Sequence, residues 1–319
     1  GITEDKSFTG SSVPFSADIS AAMDLVLRAA FVVKRGGENV MLNQQYELLD
    51  FGRNEKLECI GGVVVRRETP SAPGGKANGV DWERPQLRGR VVGEKYSWYG
   101  ISPSDWRFDA GEFELQLKAT PSGQVGVFPE QSVNWQWIKD CPADLEGLKA
   151  INLFGYTGAT TLSLAKRGVQ VVHVDAAKSA VSWARANAQS SGLADSPIRW
   201  MVEDALTFVR RELKRGNKYD IIVADPPSFG RGPKGERWKL QRDLCHLIES
   251  LSELSRGRCK MLLLSCHTPG IDHRQLRTEV ENQFQFQSGS GASFALELRT
   301  KANKSLPSGN CFRWVAGKS

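Results

Sequence analysis

The chain has 319 residues, 40% of them hydrophobic, and 42 Lys and Arg against 36 Asp and Glu, for a net charge of +6. That length can bury the cores of one small and one larger domain, and no apolar run approaches the 18 residues that a membrane-spanning helix needs. Six cysteines and four histidines show neither C-x-x-C nor H-x-x-x-H spacing, which argues against a metal site and for a reducing compartment, while the positive balance mildly favours a polyanionic partner.

The chain begins at Gly1 without a Met, so we expect a trimmed N-terminus. Location is expected to be cytoplasmic, or an organelle matrix after removal of a transit peptide. Residues 1–18 are polar, and Ile19, Met23, Leu25, Val26 and Ala30 fall at helical spacing over 19–33; residues 1–39 therefore read as an extension, loosely ordered or helical. Strands are predicted at 46–51, 56–60 and 63–67, parted by Gly-Arg-Asn and Gly-Gly turns, before a Pro- and Gly-rich stretch at 69–79. Trp98, Trp106, Phe108, Phe113 and residues 115–117 suggest further strands, so 40–120 reads as a small β-rich domain and 121–319 as a larger one.

Residues 150–154 form an apolar strand that runs into Gly155, Tyr156, Thr157 and Gly158, and a helix-period pattern begins at Ala159. Glycine here permits positive φ and close approach of a ligand to the backbone. The next strand, 169–174, ends at Asp175, whose carboxylate can accept two hydrogen bonds from a ribose diol. Asp204 follows a strand at 198–202 and can accept from an adenine amino group, or it can simply cap a helix. A dinucleotide site would call for G-x-G-x-x-G. Only Gly155 and Gly158 are present, so the three signals together point to S-adenosylmethionine (SAM), a cofactor without phosphate.

A buried strand at 219–224 leads into Asp225, Pro226, Pro227, Ser228 and Phe229. Proline stiffens this segment, so it can hold a carboxylate, the Pro226 carbonyl and an aromatic face against a planar heterocycle. Arg231, Lys234, Arg237 and Lys239, interleaved with Trp238, follow at once and suit a phosphate backbone; a solvated loop is the bland alternative.

With NLFGYTG (152–158), HVDAAKSAVSWARAN (173–187), EDAL (203–206), DPPSF (225–229) and LLLSCHTPG (262–270), the chain resembles class I SAM-dependent methyltransferases. Among these it is similar to the bacterial large-subunit (23S) ribosomal RNA methyltransferase family that includes the cytosine-C5 enzymes. GVFPEQ (126–131) and LPSG (306–309) match as well, and the likeness covers about residues 46–319. It implies an α/β fold, a seven-stranded Rossmann-like sheet with a reversed last hairpin, preceded by the small β-rich domain. It further implies a cofactor site built from Phe128, Gln131, Asn152, Phe154, Gly155, Tyr156, Thr157, Gly158, Asp175, Ala176, Asp204, Ala205 and Asp225. The partner implied is RNA, ribosomal RNA above all, although Ser132 stands where these enzymes often carry Arg and no PUA-type RNA-binding pattern is present.

The favoured reaction is methylation of cytosine C5, with Asp225, Pro226, Phe229 and Cys266 as the catalytic group. In the implied topology Cys266 faces Asp225 across neighbouring strands, and the resemblance assigns a nucleophilic cysteine to this segment. Its thiolate would add to C6 and make C5 reactive. The match departs at His267, where the family reads Ser; His267 can lower the thiol pKa, act as a base, or be structural. Should Cys266 be an inert core thiol, Asp225 and the Pro226 carbonyl would orient an exocyclic or ring nitrogen of an RNA base instead. A methyltransferase for proteins or small molecules, and a non-catalytic RNA-binding subunit, are the remaining readings.

Overall fold

A computed structural model describes residues 45–231 and 237–317, together with the backbone of two paired strands, β1 (Phe31–Arg35) and β2 (Glu38–Leu42); side chains at 229–231, 237, 238 and 241 lie outside the description. The helical pattern expected over 19–33 falls mostly outside the described residues, but its last three positions belong to β1 and are extended. β-branched Val32 and Val33 favour that state.

Strands β3 (Tyr46–Gly52), β4 (Glu55–Ile60), β5 (Val63–Glu68), β6 (Leu87–Val92) and β7 (Lys95–Gly100) form an N-terminal sheet in sequential order. The expected strands at 46–51, 56–60 and 63–67 are its first three. β6 escapes sequence reading because Arg88, Gly89 and Arg90 break its apolar pattern, and Gly89 is there for a reason: a Cβ would lie 2.5 Å from the Tyr96 hydroxyl. A short pair, β8 (Arg107–Asp109) and β9 (Glu114–Gln116), leads to a 3-10 turn at Pro129–Gln131 and helix α1 (Ser132–Lys139).

The N-terminal sheet buries a charged group. Glu58, with a fully buried side chain, accepts from Arg67 Nε at 2.5 Å and from the Tyr46 hydroxyl at 3.0 Å, and pairs with Lys56 Nζ at 3.0 Å. Burial opposes its ionisation, yet Arg67 and Lys56 hold its pKa down to about 2. Burial also pulls the Lys56 ammonium down, while Glu58 holds the Arg67 guanidinium up, so Arg67 is the stronger of the two partners.

The larger sheet contains β10 (Lys149–Leu153), β11 (Gln170–Asp175), β12 (Ile198–Val202), β13 (Ile221–Ala224), β16 (Met261–Cys266), β17 (Gly289–Arg299) and β18 (Ser305–Ala316), in the order β12-β11-β10-β13-β16-β18-β17. A separate hairpin, β14 (Phe229–Arg231) with β15 (Arg237–Lys239), lies between β13 and β16 in sequence. The first five strands of the larger sheet run parallel, while β18 is antiparallel to both β16 and β17. β13 and β16 are buried at every position, as strands covered on both faces must be. Helices α1, α2 (Ala159–Ala165) and α3 (Lys178–Ser190) cover one face in a core continuous with the N-terminal sheet. Helices α4 (Ala205–Lys214), α5 (Leu240–Ser255) and α6 (His273–Gln283) cover the other. From β10 the chain moves outward to β11 and β12, then returns to the far side of β10 at β13. The carboxyl ends of β10 and β13 thus form the switch point where open α/β sheets bind ligands.

The turn between β17 and β18 reaches back to the N-terminal sheet. Lys304 Nζ donates to Asp50 Oδ1 at 2.9 Å, to the Gly75 carbonyl at 2.8 Å and to the Phe51 carbonyl, and lies 4.2 Å from the centre of the Phe51 ring. Among the described residues no helix is long and apolar enough to cross a membrane.

Candidate active site

A cavity of about 560 Å³ opens at that switch point. Its walls come from the turn before α1, the β10–α2 turn, the ends of β11 and β12, and the segments that follow β13 and β16.

The β10–α2 turn is tight. Phe154 (φ 59) and Tyr156 (φ 48) occupy the left-handed region although neither is glycine, and Gly158 (φ 91) caps α2. Such strain persists where surrounding contacts enforce it: Tyr156 N donates to Asp175 Oδ2 at 2.9 Å, and the Thr157 hydroxyl donates to the Gly126 carbonyl at 2.8 Å. Gly155 has a further role beside the one its motif suggests. A Cβ there would lie 2.4 Å from Cε1 of His173, a fully buried ring that shares a hydrogen bond of 2.9 Å with Thr161. The glycine makes room for the core beneath the turn as well as lining the cavity above it. Gly155→Ala is expected to cost about 1–3 kcal/mol by overpacking, and His173→Ala in the same chain should recover part of that loss. Urea denaturation of the two single variants and the double variant checks this, since independent effects would simply add.

Asp175 ends β11. Its Oδ1 accepts from Ala177 N and its Oδ2 from Tyr156 N, both at 2.9 Å, so each oxygen keeps a lone pair for a donor from the cavity. Burial pushes this carboxyl up despite the two amides, and diol hydroxyls would satisfy it. Asp204 caps α4 by accepting from Thr207 N at 2.8 Å and lines the cavity as well. One side chain thus both caps a helix and lines the cavity.

At the other end lies Asp225. Oδ1 accepts from the Ser265 hydroxyl at 2.6 Å and lies 3.2 Å from His267 Nε2; Oδ2 accepts from Gln131 Nε2 at 3.2 Å. Gln131 also donates to the Ser265 oxygen at 3.1 Å, and Asn134 holds its amide from behind at 2.8 Å. Burial opposes the charge on Asp225, but His267 and Ser265 bring its carboxyl below the usual range.

Phe128, Gln131, Asn152, Phe154, Gly155 and Tyr156 all line the cavity, as do Thr157, Asp175, Ala176, Asp204, Ala205 and Asp225. Gly158 stands behind it as the helix cap, and Pro226 is buried outside the lining. Of Phe229 only the backbone, at the start of β14, is described; the same holds for Arg231, Arg237 and Trp238, and Lys234 lies outside the described residues. Lys239 is exposed.

Cys266 is not brought into this group. β13 and β16 are neighbours as expected, with Ala224 opposite Leu264, so the side chain beside Asp225 is Ser265. Alternation turns Cys266 to the other face of the sheet, where it is fully buried among residues of the α4–α6 core such as Leu264 and Leu276. Burial pushes its thiol up, away from the thiolate that nucleophilic attack requires. Sequence reading assigned no role to Ser265, and it passed over Trp135, Thr160, Glu203 and Ser228, which also line the cavity. Glu203 and Ser228 sit inside recognised motifs; Trp135 and Thr160 stand alone and carry no local signal.

Among the described residues no Lys or Arg lines the cavity. Apolar walls from Val127, Phe128, Phe154 and Val174, carboxylates at both ends and a diol acceptor at Asp175 fit SAM.

Comparison with known proteins agrees. Residues 91–283 match the model of a family described as S-adenosylmethionine-dependent methyltransferase. A crystal structure of a SAM-dependent methyltransferase from Agrobacterium tumefaciens is 32% identical, with a TM-score of 0.79, over 86% of this chain and 91% of that one. A ribosomal RNA large subunit methyltransferase K/L from Shewanella frigidimarina is 27% identical over 172 residues, 50% of this chain and 24% of that protein. A ribosomal RNA large subunit methyltransferase I from Aeromonas hydrophila is 38% identical over 85 residues, 26% of this chain and 21% of that protein. The matched part of this chain thus spans about a quarter or less of those two relatives. The glycine turn, the two cavity-lining aspartates and a family match over more than half of the chain lead to one conclusion: this protein belongs to the SAM-dependent methyltransferases.

Proposed function

We propose that the protein methylates a nitrogen on an RNA base, that large-subunit ribosomal RNA is its substrate, and that an exocyclic amine is the acceptor. The names of its relatives support the RNA. The observation that carries the choice of atom is that Ser265, and not Cys266, faces Asp225. Without a thiol to add to C6, the C5 route lacks its nucleophile. Asp225 Oδ2 retains one free lone pair beside its bond from Gln131, which suits the N–H of an amine.

SAM, when bound, supplies a methyl group on a positively charged sulfur. Asp225 Oδ2 accepts one amine N–H, which helps fix the direction of the nitrogen lone pair. As the N–C bond forms and the S–C bond breaks, sulfur keeps the electron pair, and the surplus N–H proton passes through Asp225 to water. The basic run around Trp238 would hold the flanking phosphates. This substrate places the protein where ribosomal RNA is made, in the cytoplasm or an organelle matrix.

The test is nucleoside mass spectrometry on unmodified large-subunit RNA after incubation with isotopically labelled SAM, for the wild type and Cys266→Ala. We expect a labelled N-methyl nucleoside and turnover that survives the substitution. Labelled 5-methylcytosine that disappears in Cys266→Ala would overturn the reading in favour of the C5 mechanism. No labelled nucleoside, with SAM binding intact, would point to a protein or small-molecule acceptor.

A further inference from the structure

His267 is not required by any step above, yet it lies against the carboxylate at the centre of the site. We propose that His267 is the positioning residue that holds Asp225 as a fixed, ionised acceptor, and that Ser308 and Gly309 of β18 form its seat. This inference rests on the reading of Asp225 as the acceptor for the substrate N–H.

Three observations carry it. First, His267 Nε2 lies 3.2 Å from Asp225 Oδ1, and both side chains are partly open to the cavity at 31% and 29% exposure, so the pair belongs to the site and not to the core. Second, the seat is shaped for the ring. A Cβ on Gly309, whose φ of +120° already favours glycine, would lie 2.6 Å from His267 Nδ1. The Ser308 backbone also hydrogen-bonds the imidazole. The Nε2 side of the ring is thus turned to Asp225 and the Nδ1 side is packed against β18. Third, Ser265 and His267 together occupy Asp225 Oδ1, so a substrate donor is directed to Oδ2.

The charged groups facing His267 are Asp225, from the end of β13, and Glu130, from the turn before α1; Lys56 of β4 faces Glu130 in its turn. Burial opposes the charge on the imidazole, but Asp225, then Glu130 and the Ser308 backbone, push its pKa up to about 9. The chain has four histidines, and buried His173 is driven the opposite way, to about 3. The two signals are thus far apart.

The test begins without RNA. In the full-length protein with ¹³C-labelled histidine, one imidazole should titrate near pH 9, vanish in His267→Gln and shift to lower pH in Asp225→Asn. Elimination with His246→Gln and His273→Gln assigns the signal independently. An unmoved midpoint in Asp225→Asn would overturn the pairing, whatever the substrate proves to be. In methyl transfer, His267→Gln should lower kcat about 10- to 100-fold, leave SAM affinity by calorimetry unchanged, and move the acid limb of the pH profile to higher pH. Unchanged kcat and acid limb would overturn the positioning role even if the pair exists. Loss of SAM binding in His267→Gln would make the residue structural and overturn the positioning role as well.

Discussion

Asp225→Ala is expected to lower kcat for methyl transfer by about 10²- to 10⁴-fold, the range associated with losing an orienting group or a proton acceptor, while SAM affinity changes little. The carboxylate gathers donors from Ser265, Gln131 and His267 and still presents a lone pair of Oδ2 to the cavity. Its removal takes that acceptor away and leaves those three side chains without their shared partner. Asp175→Ala should behave in the opposite way, weakening SAM binding first, because its free lone pairs face the far end of the cavity. Calorimetry for the cofactor and single-turnover transfer for the chemistry separate the two variants. Wild-type turnover in Asp225→Ala would remove Asp225 from the mechanism.

Glu58→Ala should destabilise the protein by about 3–5 kcal/mol, the cost of removing one partner from a buried charged group. Arg67 and Lys56 would be left facing each other with the shared carboxylate gone, and the buried Tyr46 hydroxyl would lose its acceptor. The pH dependence follows from the same residue. Its folded pKa, about 2, lies below the ordinary value of 4.5, so the stability it contributes is complete above that ordinary range and is lost as pH falls toward 2. Urea denaturation of wild type and variant at neutral and acidic pH measures both effects, and the difference between them should shrink as the medium is acidified. A loss of about 0–1 kcal/mol, typical of an exposed pair, would show that water reaches the group.

The order of the cofactor site was legible because each part of it has local punctuation. A glycine turn follows an apolar strand, and an acid closes each of the next two strands, so the sequence already marked Asp175 and Asp204, which the structure places on the cavity wall. The parity of β16 was not legible. Met261, Leu262, Leu263 and Leu264 are apolar on both faces, so nothing in that run tells which of Ser265 and Cys266 turns toward Asp225. Side chains alternate with a period of two, and an error of one residue sends a candidate nucleophile into the opposite core. The role of Gly155 was hidden for a related reason. The residue it must clear, His173, lies on another strand, and only the pairing of β10 with β11 brings the two together. β6 went unread because its charged and glycine positions mask a strand that contacts elsewhere in the fold decide.

The reach of the β17–β18 turn has a consequence for how this protein comes into being. Asp50 and Lys304 are 254 positions apart, and β18 inserts between β16 and β17 while seating His267. Closure over so long a stretch is slow and comes late. On a ribosome, all the cavity-lining residues from 127 to 228 emerge well before the strand that steadies Asp225. A nascent chain halted ahead of residue 305 would therefore carry Asp175, Asp204 and Asp225 but not the seat of His267, and on the proposed mechanism competence to methylate would arrive only with the completed hairpin.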